Sequence, residues 1–369
     1  MRPLLISVAL FAIAGPTLVA AQSTPSAALL VLSKQNHTVA IVDPATLKVV
    51  ATAPVGDDPH EVAASSDGRT AYVSNYGFGA FHTITVIDLI RQKQEKVIDL
   101  TPLRGPHGLD FVDGKLWFTA EVNKVIGRYD PATGKVDWIM GTGQNRTHML
   151  YVFPGAKRIV TTNVNSGTVS ILNFEPSRGG PPPGGPGAPG GPPPGGPPPG
   201  GPGGPPPGAP RGPIHPPGGD WNPTVVPVGA GDEGFDVSPD GKEAWVANAG
   251  DGTVSIVDLD AKRVTATLPL NVQSANRLKF TPDGKRVLIS MLGQGDLIVV
   301  DTATHQVVTR IPIGHGGAGI QVQPDGARAY VACTPDNYVA VIDLKTLSVV
   351  GHIQPGGGPD GLAWAVRQK

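Results

Sequence analysis

The stretch 58–75, DPHEVAASSDGRTAYVSN, joins two short apolar runs through Asp67-Gly68 and sets His60 near the head of the first. Asp-Gly between alternating hydrophobic runs predicts a hairpin, because glycine takes positive φ without a side-chain clash and aspartate bonds its own turn. The phrase returns as GFDVSPDGKEAWVAN from Gly234, RLKFTPDGKRVLISM from Arg277 and GIQVQPDGARAYVAC from Gly319, with looser copies from Gly108 and His148. A period of roughly 40 residues marks a repeat architecture.

Each repeat reads as four strands: an apolar run before the turn, a run like AYVSN after it, a run like TVSIVDL, and a last run like RVTATLPL. Four antiparallel strands in about 40–45 residues is the signature of a propeller blade. Counted from the inside outwards, the first strands start near His60, His107, His148, Glu233, Asn276, Ala318 and Asp360. The spacings are 47, 41, 85, 43, 42 and 42, and the long one shrinks to 44 when a 41-residue insert is set aside, so the blades number seven. PDGLAWAV at 359–366 is a first strand without successors, and 27–55 holds a second, third and fourth strand without a predecessor. Together they predict one blade closed by both chain ends, which leaves no long open sheet edge. The expected fold is an all-β, seven-bladed β-propeller of four-stranded antiparallel blades.

AYVSN (71–75), AWVAN (244–248) and AYVAC (329–333), with GTVSIVDL (252–259) and the SPDG-type turns, resemble the YVTN family of seven-bladed propellers. The likeness spans nearly the whole chain after the N-terminal segment, apart from the insert. Residues 106–135, PHGLDFVDGKLWFTAEVNKVIGRYDPATGK, are more similar to streptogramin lyase-type repeats, which are also seven-bladed. The resemblance implies an exported protein, periplasmic or at the cell surface, and names no chemistry.

Composition fits many short strands: Gly 50 and Pro 40, aromatics 5%, charged residues 16%. A net charge of −1 offers no basic surface for nucleic acid. Residues 1–21, with one Arg, an apolar stretch from Leu4 to Ala14 and small residues at Val19 and Ala21, read as a cleaved secretory signal. Residues 22–369 then form a single domain with no membrane span, expected to be a periplasmic or secreted monomer. Cys333 is the only cysteine, so no internal disulfide can form. From Gly179 to Gly219, 36 of 41 residues are Pro or Gly without a strict Gly-X-Y period, which predicts a disordered insert in blade three, on the face away from the histidines.

The residue that opens each first strand should ring the central channel on one face. In ring order Asp360, His60, His107, His148 and Glu233 are consecutive, followed by Asn276 and Ala318. A second ring after each second strand holds Asn75, Glu121, Asn163, Asn248, Met291, Cys333 and Lys34. Three imidazoles form the ligand set of some catalytic zinc sites, so a divalent metal ion on His60, His107 and His148 is one chemistry this arc would support. General acid/base work by His148 or Glu233 is another. The chain has no HExxH, CxxC, GxSxG, Walker loop or strand-helix GxGxxG unit, which leaves standard zincin, redox, serine-hydrolase and nucleotide chemistries unsupported. Two readings follow. In the first, the mouth binds a small molecule or a periplasmic or cell-surface protein through His60, His107, His148, Glu233, Asn276 and Asp360, without catalysis. In the second, the same mouth is the site of a metal-assisted lyase or lactonase-like hydrolase.

Overall fold

The computed structural model describes residues 23–176 and 218–368. The segment read as a secretory signal and nearly all of the Pro/Gly insert lie outside those residues. The described residues form seven four-stranded antiparallel sheets in a ring, a β-propeller with no α-helix among them. No helix of the described residues is long and apolar enough to cross a membrane.

The innermost strands are Pro59–Ala64, Pro106–Val112, Thr147–Val152, Asp232–Val237, Ala275–Phe280, Gly317–Val322 and Pro359–Val366, here blades one to seven. In each, the expected ring residue is the second of the strand. Blade seven closes as expected: Pro359–Val366 pairs antiparallel with Ala27–Ser33, and Thr38–Asp43 and Lys48–Pro54 follow outwards. Arg367 N donates to Ser26 O at 2.7 Å, which fastens the two ends together.

Middle strands are flanked by sheets on both faces and read as apolar runs. Thr253–Asp258 is buried at four consecutive residues, whereas the outer Arg263–Leu268 alternates exposed and half-buried. The core therefore lies between blades, as where Trp245, Val254 and Ile256 of blade four pack on Leu278, Val287 and Ile289 of blade five. The Asp-Gly turns form as predicted. At Gly68 φ is +66°, and Asp67 Oδ1 accepts from Arg69 N at 3.0 Å.

Three recurring features, two of them sevenfold, shape the histidine-bearing face. The residue just before every innermost strand is left-handed: Asp58, Gly105, Arg146, Gly231, Ser274, Gly316 and Gly358 have φ between +46° and +71°. Every innermost strand then breaks register near its second residue, as between Pro59 and Val62, or Thr147 and Leu150. Such bulges re-aim side chains. Thirdly, Gly108, Gly234, Gly319 and Gly361 follow the ring residue in four blades, where a Cβ would lie 2.3 to 2.6 Å from a carbonyl oxygen of the next innermost strand. Glycine there lets neighbouring strands close around the axis. The other three blades carry Glu61, Met149 and Arg277 at that position, and two of these become the floor of the mouth.

In blade three, the strands Thr168–Glu175 and Asp220–Pro227 pair as far as Glu175 opposite Asp220. The ladder thus runs from Thr168, beside Asn163 at the histidine face, to the opposite end. Except for its last two residues, the insert itself lies outside the described residues.

Candidate functional site at the channel mouth

His60, His107 and His148 come from adjacent blades, and their rings touch in sequence. The His60 and His107 centroids are 4.5 Å apart, and those of His107 and His148 are 3.8 Å apart. Tyr76, just after the second strand of blade one, leans edge-on against His107 at 4.9 Å. His107 and His148 are wholly buried.

Each end of the arc is held by charge. His60 Nδ1 lies 2.5 Å from Lys34 Nζ and 3.2 Å from Asp360 Oδ2, while Lys34 also reaches Asp58 and Asp360 at 3.0 Å each. Burial lowers the His60 pKa, with Asp360 opposing, so its ring is neutral and can accept from the ammonium. At the other end His148 Nδ1 is hydrogen-bonded to Glu121 Oε1, and its Nε2 lies 3.2 Å from Glu233 Oε1, off the line a hydrogen bond requires. Burial works against protonation of His148, yet Glu233 and Glu121 together raise its pKa. Glu233 is pushed up by burial but pulled down to about 2 by His148 and Arg146. Arg146 donates to Glu233 at 3.2 Å and stands 3.6 Å from Glu121, whose second oxygen accepts from the Tyr76 hydroxyl at 2.5 Å.

His107, between these two ends, is different. Neither of its ring nitrogens has a hydrogen-bond partner. Burial, and then the neighbouring His148 and His60, hold its pKa well below the ordinary histidine value. A buried polar group left unsatisfied costs ~1–3 kcal/mol and calls for a reason.

The floor is an ion pair across the channel. Arg277 of blade five donates to Glu61 of blade one, and a second guanidinium nitrogen donates to Asn276 O at 2.9 Å. Both side chains are at least nine-tenths buried by residue. Below them the channel continues as a cavity of about 320 Å³ lined by Asp110, Met149, Tyr151, Lys279 and Trp364 among others.

Of the residues expected at the mouth, Asp360, His60, His107, His148 and Glu233 form one contiguous arc. Asn276 and Ala318 are buried and join none of its contacts except through the Asn276 carbonyl. Among the described residues, the group whose donor atoms all lie within 4.8 Å of one another is His107, Glu121 and His148, and His60 is not part of it. Glu121 and Lys34 occupy the second ring as placed, and both turn into the site. Its asparagines bond across to the third strand, as when Asn163 Nδ2 donates to Ser170 Oγ at 3.0 Å. Cys333 is buried, and desolvation pushes its thiol up to about 12. Tyr76, Arg146, Glu61 and Arg277 were not anticipated.

No family model matches the chain, and no curated protein matches it. Among solved structures it is similar to a functionally unknown protein from Desulfotomaculum acetoxidans, at 12% identity and TM-score 0.68 over 92% of this chain and 99% of that one. It is likewise similar to a putative 6-phosphogluconolactonase from Bacteroides uniformis, at 14% identity and TM-score 0.67 over 92% and 99%. A third likeness, at 15% identity and TM-score 0.58 over 93% and 66%, is to dihydro-heme d1 dehydrogenase NirN in complex with DHE. Identities this low establish the fold alone.

Proposed function

We propose that this chain is an exported propeller of the YVTN type, periplasmic or secreted, that captures a small polar ligand at the mouth formed by blades seven and one to four, without turning it over. The observation that carries the reading is His107, wholly buried at the centre of the arc with both ring nitrogens unbonded. Its neighbours satisfy one another, so a ligand meets groups already in place and loses little by ordering them. Recession of the arc favours a small molecule over a flat protein surface. Access runs past Arg146, whose side chain is 32% exposed.

Thermal denaturation of the mature protein against a panel of small polar metabolites, sugar lactones included, tests this. At least one compound should stabilise the wild type, lose that effect with Arg146→Ala or Glu233→Gln, and be recovered unchanged. A panel without a stabilising member sinks the capture reading.

A second reading is a metal-assisted lyase or lactonase-like hydrolase. It is favoured by His148, which stands between Glu121 and Glu233 as a base held in orientation would. The putative lactonase among the similar structures adds only a shared fold. Recovery of a ring-opened or eliminated product, abolished in His148→Ala, would replace capture with catalysis.

A further inference from the structure

We propose that the mouth is built around one divalent metal ion of the zinc class, held by His107, Glu121 and His148. This rests on the reading of the mouth as the functional site, but not on whether the captured ligand is turned over.

The donors come from two blades. His107 opens the innermost strand of blade two, Glu121 follows that blade's second strand, and His148 opens the innermost strand of blade three. One donor atom from each lies within 4.8 Å of the other two. Tetrahedral bonds of 2.0–2.1 Å would place donors about 3.4 Å apart. Rotation of His107 can close that gap, since no hydrogen bond holds its ring.

The surrounding groups match what a ligand set needs. Histidine ligands commonly present their other ring nitrogen to a carboxylate. His148 does this: Nδ1 faces Glu121, and Nε2 faces Glu233 at 3.2 Å. Tyr76 binds Oε2 of Glu121, while Oε1 meets His148 Nδ1, so the ion would take the place of the proton those two atoms share. His60 is set apart from this group: its donor atoms do not converge with the other three, and Lys34 and Asp360 hold its Nδ1 at the far end of the arc.

Charge agrees. Carboxylates of Asp58, Glu61, Glu121, Glu233 and Asp360 outnumber the fixed cations Lys34, Arg146 and Arg277 around the arc. An added cation relieves that excess. Two imidazoles and one carboxylate suit zinc, cobalt or nickel better than magnesium or calcium, which prefer oxygen donors. Three protein ligands leave a position open for water or for an oxygen of the captured ligand.

Calorimetric titration of the chelator-stripped mature protein with zinc chloride should show one tight equivalent. His107→Ala and Glu121→Gln should each weaken it at least a hundredfold, whereas His60→Ala should hold it within threefold. Cobalt(II) should give tetrahedral visible bands that Glu121→Gln abolishes, a readout that stands even where His107→Ala fails to fold. Absence of a stoichiometric equivalent, an unchanged affinity in Glu121→Gln, or loss in His60→Ala would each overturn the assignment. A metabolite that stabilises the stripped protein through Arg146 while zinc fails to bind would refute the ion and leave ligand capture standing. Zinc binding with an unresponsive metabolite panel would do the reverse.

Discussion

Two side chains govern the channel beneath the arc. Arg277 and Glu61 are buried partners from opposite sides of the ring, and removing one strands the other as an uncompensated charge. Arg277→Met should therefore cost ~3–5 kcal/mol in denaturant unfolding, and adding Glu61→Leu should recover most of it, since an apolar pair of similar volume replaces a buried ion pair with little loss. Asp110, lower in the channel, accepts from Val152 N at 2.9 Å, and burial raises its pKa to about 6. Its folded pKa lies above its unfolded value. Between about pH 4 and 6 the unfolded chain ionises first, so stability drops as pH rises through that window and stays lower above it. Asp110→Asn, whose amide oxygen can still accept from Val152, should raise the melting temperature at pH 7.5 and leave it nearly unchanged at pH 4. Neither pair announces itself in the sequence. Glu61 and Arg277 are 216 residues apart and meet only because the ring brings blades one and five face to face. Arg146 did leave a signal. It stands where Gly105, Gly231, Gly316 and Gly358 stand in other blades, a left-handed position that strains a residue with a side chain, a cost its contacts with Glu233 and Glu121 help offset.

Strand placement was legible because a period-two pattern and an Asp-Gly turn are local. All seven ring residues fall at the second position of their strands, and the split blade pairs as the two chain ends predict. Which of those residues share a contact was not legible. The register break near each strand's second residue sets where its side chain points, and no single residue type encodes it. Glu121 shows the effect: an acid in a ring shared with Asn75, Asn163 and Asn248 looks like a loop substitution until blade three places His148 against it. The close-packed glycines were visible as PHG, DEG, GAG and PDG, but only the folded ring explains them. At Gly319 a Cβ would sit 2.3 Å from Asp360 O, a backbone atom that cannot swing aside. Gly319→Ala should destabilise by at least ~1–3 kcal/mol in thermal or chemical melts, the range for overpacking. The same change at Gly155, whose Cβ would meet nothing within 4 Å, should be far milder despite its φ of +80°.

At the scale of the whole ring, the decisive contact is the one that joins the ends. Removing Pro359–Lys369 takes the innermost strand from blade seven and bares the edge of Ala27–Ser33, so the truncated chain should aggregate or lose most of its cooperative melt. The same joint carries an opposite implication for chains that are rearranged rather than shortened. Since Ser26 and Arg367 are already hydrogen-bonded, a short linker there would make the backbone a loop with no privileged beginning. Cutting that loop at an exposed Asp-Gly turn, such as Asp240-Gly241, would place both new ends within one ordinary hairpin of blade four. Such a circular permutant should melt within a few degrees of the parent. The order in which the blades are synthesised would then be a matter of history, and the closed ring alone a matter of physics.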